Sequence, residues 1–220
     1  MEIERRLNIR ESFIEAVELY KKAGSLNRIF IMISFFLSVS SIASLSESIF
    51  KWKGFILDAV DFYQHCIAEI IINYAGSVGL SYTQNQVHSA VILSIAVSLG
   101  MKMFILDQLK FAEVMRDKYN FEVTPKINFF RIQAVAYSVF VWLSFGLSED
   151  HVTLTSSIIL LMSYPIFLSL IHWILVHFDK NKTLSLGNVS YCKAYYVYLA
   201  AIFFMLGVLG AINSGISKVA

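Results

Sequence analysis

Charge is scarce in this chain. Only 15% of its 220 residues are Asp, Glu, Lys or Arg, against about a quarter in soluble globular proteins, while 57% are apolar and the mean hydropathy is +0.63. That composition excludes an ordinary water-soluble domain and makes lipid the expected solvent. A net charge of only +2, with the basic residues spread rather than clustered, gives no footing for direct nucleic-acid binding. Cysteine is nearly absent too. Cys66 and Cys192 fall on opposite sides of the membrane in the topology derived below, so no intrachain disulfide is expected, and neither stands at metal-ligand spacing. Catalytic motifs are missing: there is no G-x-S-x-G, no H-E-x-x-H, no Walker loop and no pair of intramembrane aspartates. The expectation is a non-enzymatic protein without a cofactor or resident metal. The opening MEIERRLNIR is charged and unlike a cleavable signal peptide, so the first apolar segment is read as an uncleaved anchor.

What the chain has in quantity is long apolar runs. Segments 29–46, 87–106, 157–178 and 194–214 have about the 20-residue length that a hydrocarbon core of roughly 30 Å demands. A fifth, 127–147, qualifies despite Arg131, which lies one turn from its end and can snorkel. Lys and Arg set the orientation, because cytoplasmic loops retain basic residues. With the N-terminus inside, 15 of the 18 fall on the inner side and only Lys51, Lys53 and Lys218 outside, a split that requires an odd number of spans. The reading is an all-α polytopic transmembrane helical bundle of about five spans in a bacterial inner membrane, N-terminus in and C-terminus out. Two sequons, at Asn181 and Asn188, then fall inside, where glycosylation does not occur.

Flanking the spans, residues 1–28 read as a cytosolic amphipathic helix, with Ile3, Leu7, Phe13, Ile14, Val17 and Tyr20 along one side of 2–23. Its glutamates disfavour anionic lipid, so packing on another cytosolic element is preferred. The transmembrane domain is 29–214. Its second span continues through 107–123, DQLKFAEVMRDKYNF, with no Gly or Pro before Thr124-Pro125. A helix from the late eighties to near 120 would be roughly 50 Å long and would project into the cytosol, where it is the expected docking place for a cytosolic protein partner.

Residues 55–74, FILDAVDFYQHCIAEIIINY, are long enough to span yet carry Asp58, Asp61, His65 and Glu69 within about 80° of one another at 100° per residue. On a regular helix Ile56, Val60, Tyr63, Ile67, Ile70, Ile71 and Tyr74 occupy the opposite face. Each acid at mid-bilayer would cost roughly 2.5–3.5 kcal/mol, more than the apolar neighbours return. Two placements survive: an outer interfacial helix with its acidic face in water, which preserves the charge count, or a wall of an aqueous cavity. Asp61, His65 and Glu69 at i, i+4 and i+8 spread too far for one metal ion without a second element. A solvated face that senses pH or cations, or a conduit, is the expected use.

Three smaller features complete the candidates. His172 and Arg131 are the intramembrane polar positions, with His172 read as bonding a neighbouring helix rather than serving a proton path. Pro165 predicts a kink in the fourth span and a freed carbonyl that needs a partner. Ser34, Ser38 and Ser41 in the first span, and Gly207, Gly210, Ala211 and Ser214 in the last, let helix backbones approach closely, within one subunit or in a homo-oligomer.

The stretch FFRIQAVAYSVFVWL, entering the third span with an Arg and an Ala-Tyr-Ser, resembles bacterial Yip1-type five-span membrane proteins. Val139 and Phe140 stand where those proteins usually carry a proline shortly after the Tyr. The resemblance implies topology rather than activity. In size, topology and helical cytosolic platform the chain is also similar to the small KwaA-like membrane subunits of bacterial phage-defence operons. That likeness implies a sensor or anchor in antiviral defence. The resulting expectation is a non-enzymatic, oligomeric inner-membrane subunit that holds a cytosolic partner. An ion channel or small transporter with an acidic conduit, and a membrane-organising protein of the Yip1 type, are the alternatives.

Overall fold

In the computed structural model the described residues are 24–147, 152–178 and 190–219. The amphipathic helix expected at 2–23, both sequons and the side chain of His172 lie outside the described set. The elements among the described residues are helices, with no strand: α1 Ser25–Leu45, α2 Glu47–Phe50, α3 Gly54–Tyr63, a π-helical turn Gln64–Ala68, α4 Glu69–Ser77, α5 Gln84–Tyr119, α6 Ile127–Leu147, α7 Leu154–Phe178 and α8 Ser190–Val219. Three stretches are long and apolar enough to cross a membrane: α1, α6 and Tyr195–Ile216 within α8. In α6 only 11% of the most apolar window is buried, so its Ile132, Val135, Val139 and Phe140 face outward. Outward apolar surface of that extent fits a lipid environment.

The chain divides into two units, Met1–Phe36 and Leu37–Ala220. The described part of the first is Gly24 and the opening of α1, begun by the Arg28 N–H on the Gly24 carbonyl at 3.1 Å. The packing that follows belongs to the second unit.

Its longest element, α5, has clear boundaries. Thr83 and Gln86 form a capping box: the Thr83 hydroxyl accepts from the Gln86 N–H at 3.3 Å, and the Gln86 side chain accepts from the Thr83 N–H at 2.8 Å. Two orphan donors of the first turn are thereby satisfied. At the far end Asn120 adopts φ 50°, a left-handed conformation that Asn tolerates. The helix therefore stops five residues before Pro125. The connection 120–126 returns the chain along α6, and α5 with α6 is the most extensive helix pair. Met101 and Phe130 form its buried centre, with Ile105, Ala134, Tyr137 and Tyr164 packed around them.

The long helices reverse direction at one shared end. There the Ser89 and Ser157 hydroxyls bond at 2.6 Å, Asn85 donates to the Val152 carbonyl at 3.2 Å, and Tyr82 donates to the Trp142 carbonyl at 2.7 Å. Gly146 lets Tyr82 in: a Cβ at that position would sit 2.6 Å from the Tyr82 ring carbon and hydroxyl.

Pro165 lies inside α7 and lacks an N–H, so the carbonyl of Leu161, four residues back, loses its helical partner. The Tyr195 hydroxyl of α8 donates to that carbonyl at 2.7 Å, and both residues are buried. The adjacent Tyr196 donates to the Met162 carbonyl at 3.0 Å. A break in one helix is thus repaired by its neighbour, the arrangement that makes proline tolerable in an apolar medium.

Removing the repair should cost stability. Tyr195→Phe is expected to lower stability by about 1–3 kcal/mol, the cost of a buried unsatisfied acceptor. Pro165→Ala restores the helical N–H, so the loss in the double variant should be clearly smaller than in Tyr195→Phe alone. Unfolding midpoints of the purified protein in detergent measure the cycle. In the same assay Gly146→Ala should destabilise by displacing Tyr82. Gly76→Ala, where an added Cβ meets nothing within 4 Å, should gain up to about 1 kcal/mol from helix propensity.

Candidate functional site

The helix from Gly54 to Ser77 is fastened at its start. Gly54 takes φ 56°, a left-handed value that costs glycine little, and turns the chain from α2 into α3. The Asn213 side chain of α8 accepts from the Lys53 N–H at 2.8 Å and donates to the Phe50 carbonyl at 2.8 Å. Phe50 stacks on Trp52 with ring centroids 4.8 Å apart, and Trp52 donates to the Ala43 carbonyl at 2.8 Å. Gly210 of α8 receives the Phe50 ring, since a Cβ there would lie 2.9 Å from Cε1.

One side of this helix is buried. Ile56, Val60 and Tyr63 are 2%, 3% and 0% exposed, a complete apolar stripe at i, i+4 and i+7 that a solvent-lapped helix would not have. The Tyr63 hydroxyl shares a 2.8 Å hydrogen bond with the Ser41 hydroxyl of α1 and lies 3.3 Å from His88 Nδ1 of α5. Three helices meet at this oxygen. Burial pushes the Tyr63 hydroxyl up to about 12, so it stays protonated and keeps both a donor and an acceptor for its two neighbours. A second hydroxyl pair, Ser38 with Tyr198 at 2.9 Å, ties α1 to α8 nearby in sequence.

After Tyr63 the helix widens. Gln64–Ala68 form a π turn, closed by the Glu69 N–H on the Gln64 carbonyl. A π turn carries one residue more than an α turn and rotates everything downstream by about 100°. The buried position therefore moves from Ile67 to Ala68, which is 0% exposed and packs with Val87 and Val91 of α5. Ile71 and Ile72 follow it inward. Ile70 and Tyr74, which a regular helix would turn toward the bundle, are exposed. The apolar face expected from the sequence is therefore matched at Ile56, Val60, Tyr63 and Ile71, while Ala68 takes the fully buried place expected for Ile67, and Ile70 and Tyr74 turn outward.

The opposite side carries the acids. Asp58 is exposed, Asp61 and Glu69 are half-buried, and His65 has 67% of its side chain exposed. His65 Nδ1 donates to the Asp61 carbonyl at 2.8 Å, and Nε2 lies 3.7 Å from the Glu69 carboxylate. The Asp61 carbonyl, and next the Glu69 charge, raise the His65 pKa above its ordinary value. Gln64 donates to Glu47 at 3.2 Å. Among the described residues no three His, Cys, Asp or Glu side chains gather to hold a metal ion.

The other sequence candidates are placed as follows. Ser38, Ser41 and Gly210 are buried against other parts of this same chain. Gly207, Ala211 and Ser214 face outward on α8, and Ser34 lies in the part of α1 that belongs to the first unit. Arg131 is exposed at the start of α6. Beyond Leu109 the α5–α6 connection borders an open cleft of about 570 Å³, lined by Leu109, Ala112, Glu113, Arg116, Glu122 and Pro125 among others. Arg116 pairs with Asp117 at 2.9 Å and stays exposed.

Among the described residues, these features define an all-helical bundle with three helices long and apolar enough to cross a membrane. Comparison with protein-family models, curated proteins and solved structures gives no match. The residues that sequence reasoning missed are Tyr63 as a polar anchor, His88 and Asn213. The signal for His88 lay in its place at the second position of the apolar run 87–106, with the T-x-x-Q box at Thr83–Gln86 starting the helix one turn earlier.

Tyr63→Phe should leave Ser41 and His88 without their shared partner and destabilise the protein by about 1–3 kcal/mol. Asp58→Asn, on the exposed side, should stay within about 0.5 kcal/mol. Unfolding midpoints in matched detergent separate the two sides of the helix.

Proposed function

We propose that this chain is a non-enzymatic, oligomeric subunit of a bacterial inner membrane that crosses it five times, N-terminus inside. It anchors a cytosolic partner and presents the helix Gly54–Ser77 outside as a sensing element, a role of the kind used in anti-phage defence. The observation that carries this reading is the length and two-part character of α5. Its 36 residues make a rod of roughly 54 Å, about 24 Å more than a hydrocarbon core takes up. Val87, Ala90, Ile92, Ala96, Val97 and Met101 bury its first half, while Arg116, Asp117, Lys118 and Tyr119 are exposed at its far end beside the cleft. The gathering of helix ends around Ser89, Ser157 and Trp142 supports alternating crossings, and the basic residues support their direction. Gly207, Ala211 and Ser214 supply the surface for self-association. The acidic conduit draws less support, because Ile56, Val60, Tyr63 and Ala68 fill the inward side of the acidic helix.

The cleft end should face the cytosol and hold the partner. Single cysteines replacing Asp58 and Arg116 are expected to react with an impermeant thiol reagent from opposite sides of the membrane. Arg116→Glu should reduce co-purification of the cytosolic partner by about tenfold, a loss of about 1.4 kcal/mol, while Asp58→Asn leaves it unchanged. Labelling of both positions from one side would overturn the topology, and full partner retention in Arg116→Glu would overturn the docking site.

A further inference from the structure

We infer that the ligand of the helix Gly54–Ser77 is the outer lipid leaflet itself: an outward apolar seam from Phe55 to Tyr74 lies in the boundary between headgroups and acyl chains. This deepens the sensing role proposed above and rests on that reading for the helix's position on the outer side.

The seam is continuous because of the π turn. Phe55, Ala59 and Phe62 share one side of the helix at 100° per residue, and all three are exposed, the phenylalanines at 60% and 58%. From Phe62 the line continues in four-residue steps through Cys66, Ile70 and Tyr74, which are exposed as well. On a regular α-helix each such step turns by about 40°, and three of them would carry Tyr74 about 120° round to the bundle. The extra residue at Gln64–Ala68 takes up that drift. The outcome is a nearly straight apolar strip about 28 Å long.

The helix thus has three sides rather than two. Ile56, Val60 and Tyr63, which an amphipathic helix lying on lipid would turn toward it, are held by the bundle instead. The seam is centred about 100° from that stripe, and Asp58 with Asp61 lies about 90° from the seam on its other flank. Bundle, lipid and water each receive one side, so the acids need not follow the phenylalanines into an apolar medium. A second copy fits the seam less well. Across a two-fold axis with the helices antiparallel, each flank meets the same flank of its mate, which sets Asp58, Asp61 and Glu69 against like charge.

Depth follows from the tethers. Tyr63 is bonded to Ser41, four residues before α1 ends at Leu45, and to His88, four residues after α5 starts at Gln84. Each partner lies about 6 Å inward from its helix end. At the head of the helix, Asn213 holds the Lys53 N–H three residues before the apolar stretch Tyr195–Ile216 ends. Three separate tethers therefore set the helix about one turn below the ends of the rods, within the 5–10 Å or so at which amphipathic helices lie between headgroups and acyl chains. Lys51 and Lys53, two of the three basic residues expected outside, are exposed at the head of the seam, where ammonium groups on long stems can reach phosphate. Tyr74 closes the other end as an aromatic with a polar tip, the kind of side chain enriched at membrane interfaces. The stimulus for the sensing role is then the packing of the outer leaflet against the seam, and Tyr63 on the buried side joins that helix to α1 and α5.

The test uses the purified full chain in vesicles of phosphatidylcholine and phosphatidylglycerol. In a background with Cys66→Ser and Cys192→Ser, single cysteines on the seam (Phe62→Cys, Tyr74→Cys) and on the acidic flank (Asp58→Cys, Asn73→Cys) carry an environment-sensitive fluorophore. All four positions are exposed, where substitution is tolerated. One quencher is a nitroxide on the lipid chain just below the headgroup, and the other is iodide in the water. The seam positions should be quenched by the nitroxide lipid and shielded from iodide, and the flank positions should show the reverse. Seam positions quenched by iodide alone overturn the lipid seat by leaving the seam in water. Seam positions quenched by neither overturn it by putting protein over the seam, a second copy or another chain. Equal nitroxide quenching of seam and flank overturns it as well. An impermeant thiol reagent applied to intact cells fixes the side independently. Asp58→Cys reactive from outside upholds the outer placement whatever the quenching shows, and Asp58→Cys reactive only from inside overturns that placement and the sensing role with it.

Discussion

Tyr63 sets one hydroxyl between Ser41 of α1 and His88 of α5, and the placement of the acidic helix follows from that bond pair. In a chain this poor in charge, each polar group withdrawn from water must find a partner within the bundle. Here one oxygen serves three helices. Because Tyr63 cannot turn away without stranding two side chains, α3 is fixed in rotation, and Ile56 and Val60 are fixed with it as buried positions. Asp58 and Asp61 must then point away from the bundle. The acidic face is exposed because the tyrosine behind it is tied down.

The same rule governs the α7–α8 pair. Pro165 opens a gap in the α7 ladder, and the Tyr195 hydroxyl closes it. The demand was visible in the sequence, since a proline inside an apolar run always frees the carbonyl four residues back. The supplier was not, because it lies 34 residues away on another helix. Local chemistry announces that a partner is required, and only the tertiary arrangement names it.

That distinction explains how much of the architecture was legible. Helical class and the apolar stretches of α1, α6 and α8 follow from composition and run length, which are local properties. Asp58 and Asp61 could be assigned to one face because the period of 3.6 holds up to the π turn, and across it Glu69 still stands 3.7 Å from His65, four residues back. Ile67, Ile70 and Tyr74 could not be placed, since the extra residue at Gln64–Ala68 leaves no mark in hydropathy. The segment EIIINY is apolar on most sides, so its pattern accepts either phase. What selects the observed phase is steric: Ala68 fits against Val87 and Val91. Likewise Ser38, Ser41 and Gly210 carry the small-residue pattern of helix association, but the pattern cannot say whether the approaching surface comes from the same chain. Tyr198, Tyr63 and Phe50 are the answer at those three positions.

One element carries both ends of the proposed function. α5 begins with the capping box beside the acidic helix, presents Val87, His88 and Val91 to it, and ends 36 residues later at Asn120 next to the cleft. No proline interrupts it, and its first half is held by close packing, so displacement at one end is resisted along the rod rather than absorbed by a kink. A rod of this kind conveys tilt and translation far better than local unwinding. On the proposed reading, a change in the packing of Ala68 against Val87 and Val91 would reach the cleft as movement of the whole helix, with α6 packed on it through Met101 and Phe130. In the proposed sensing role, coupling between the two faces would run through this one helix and the two apolar clusters along it.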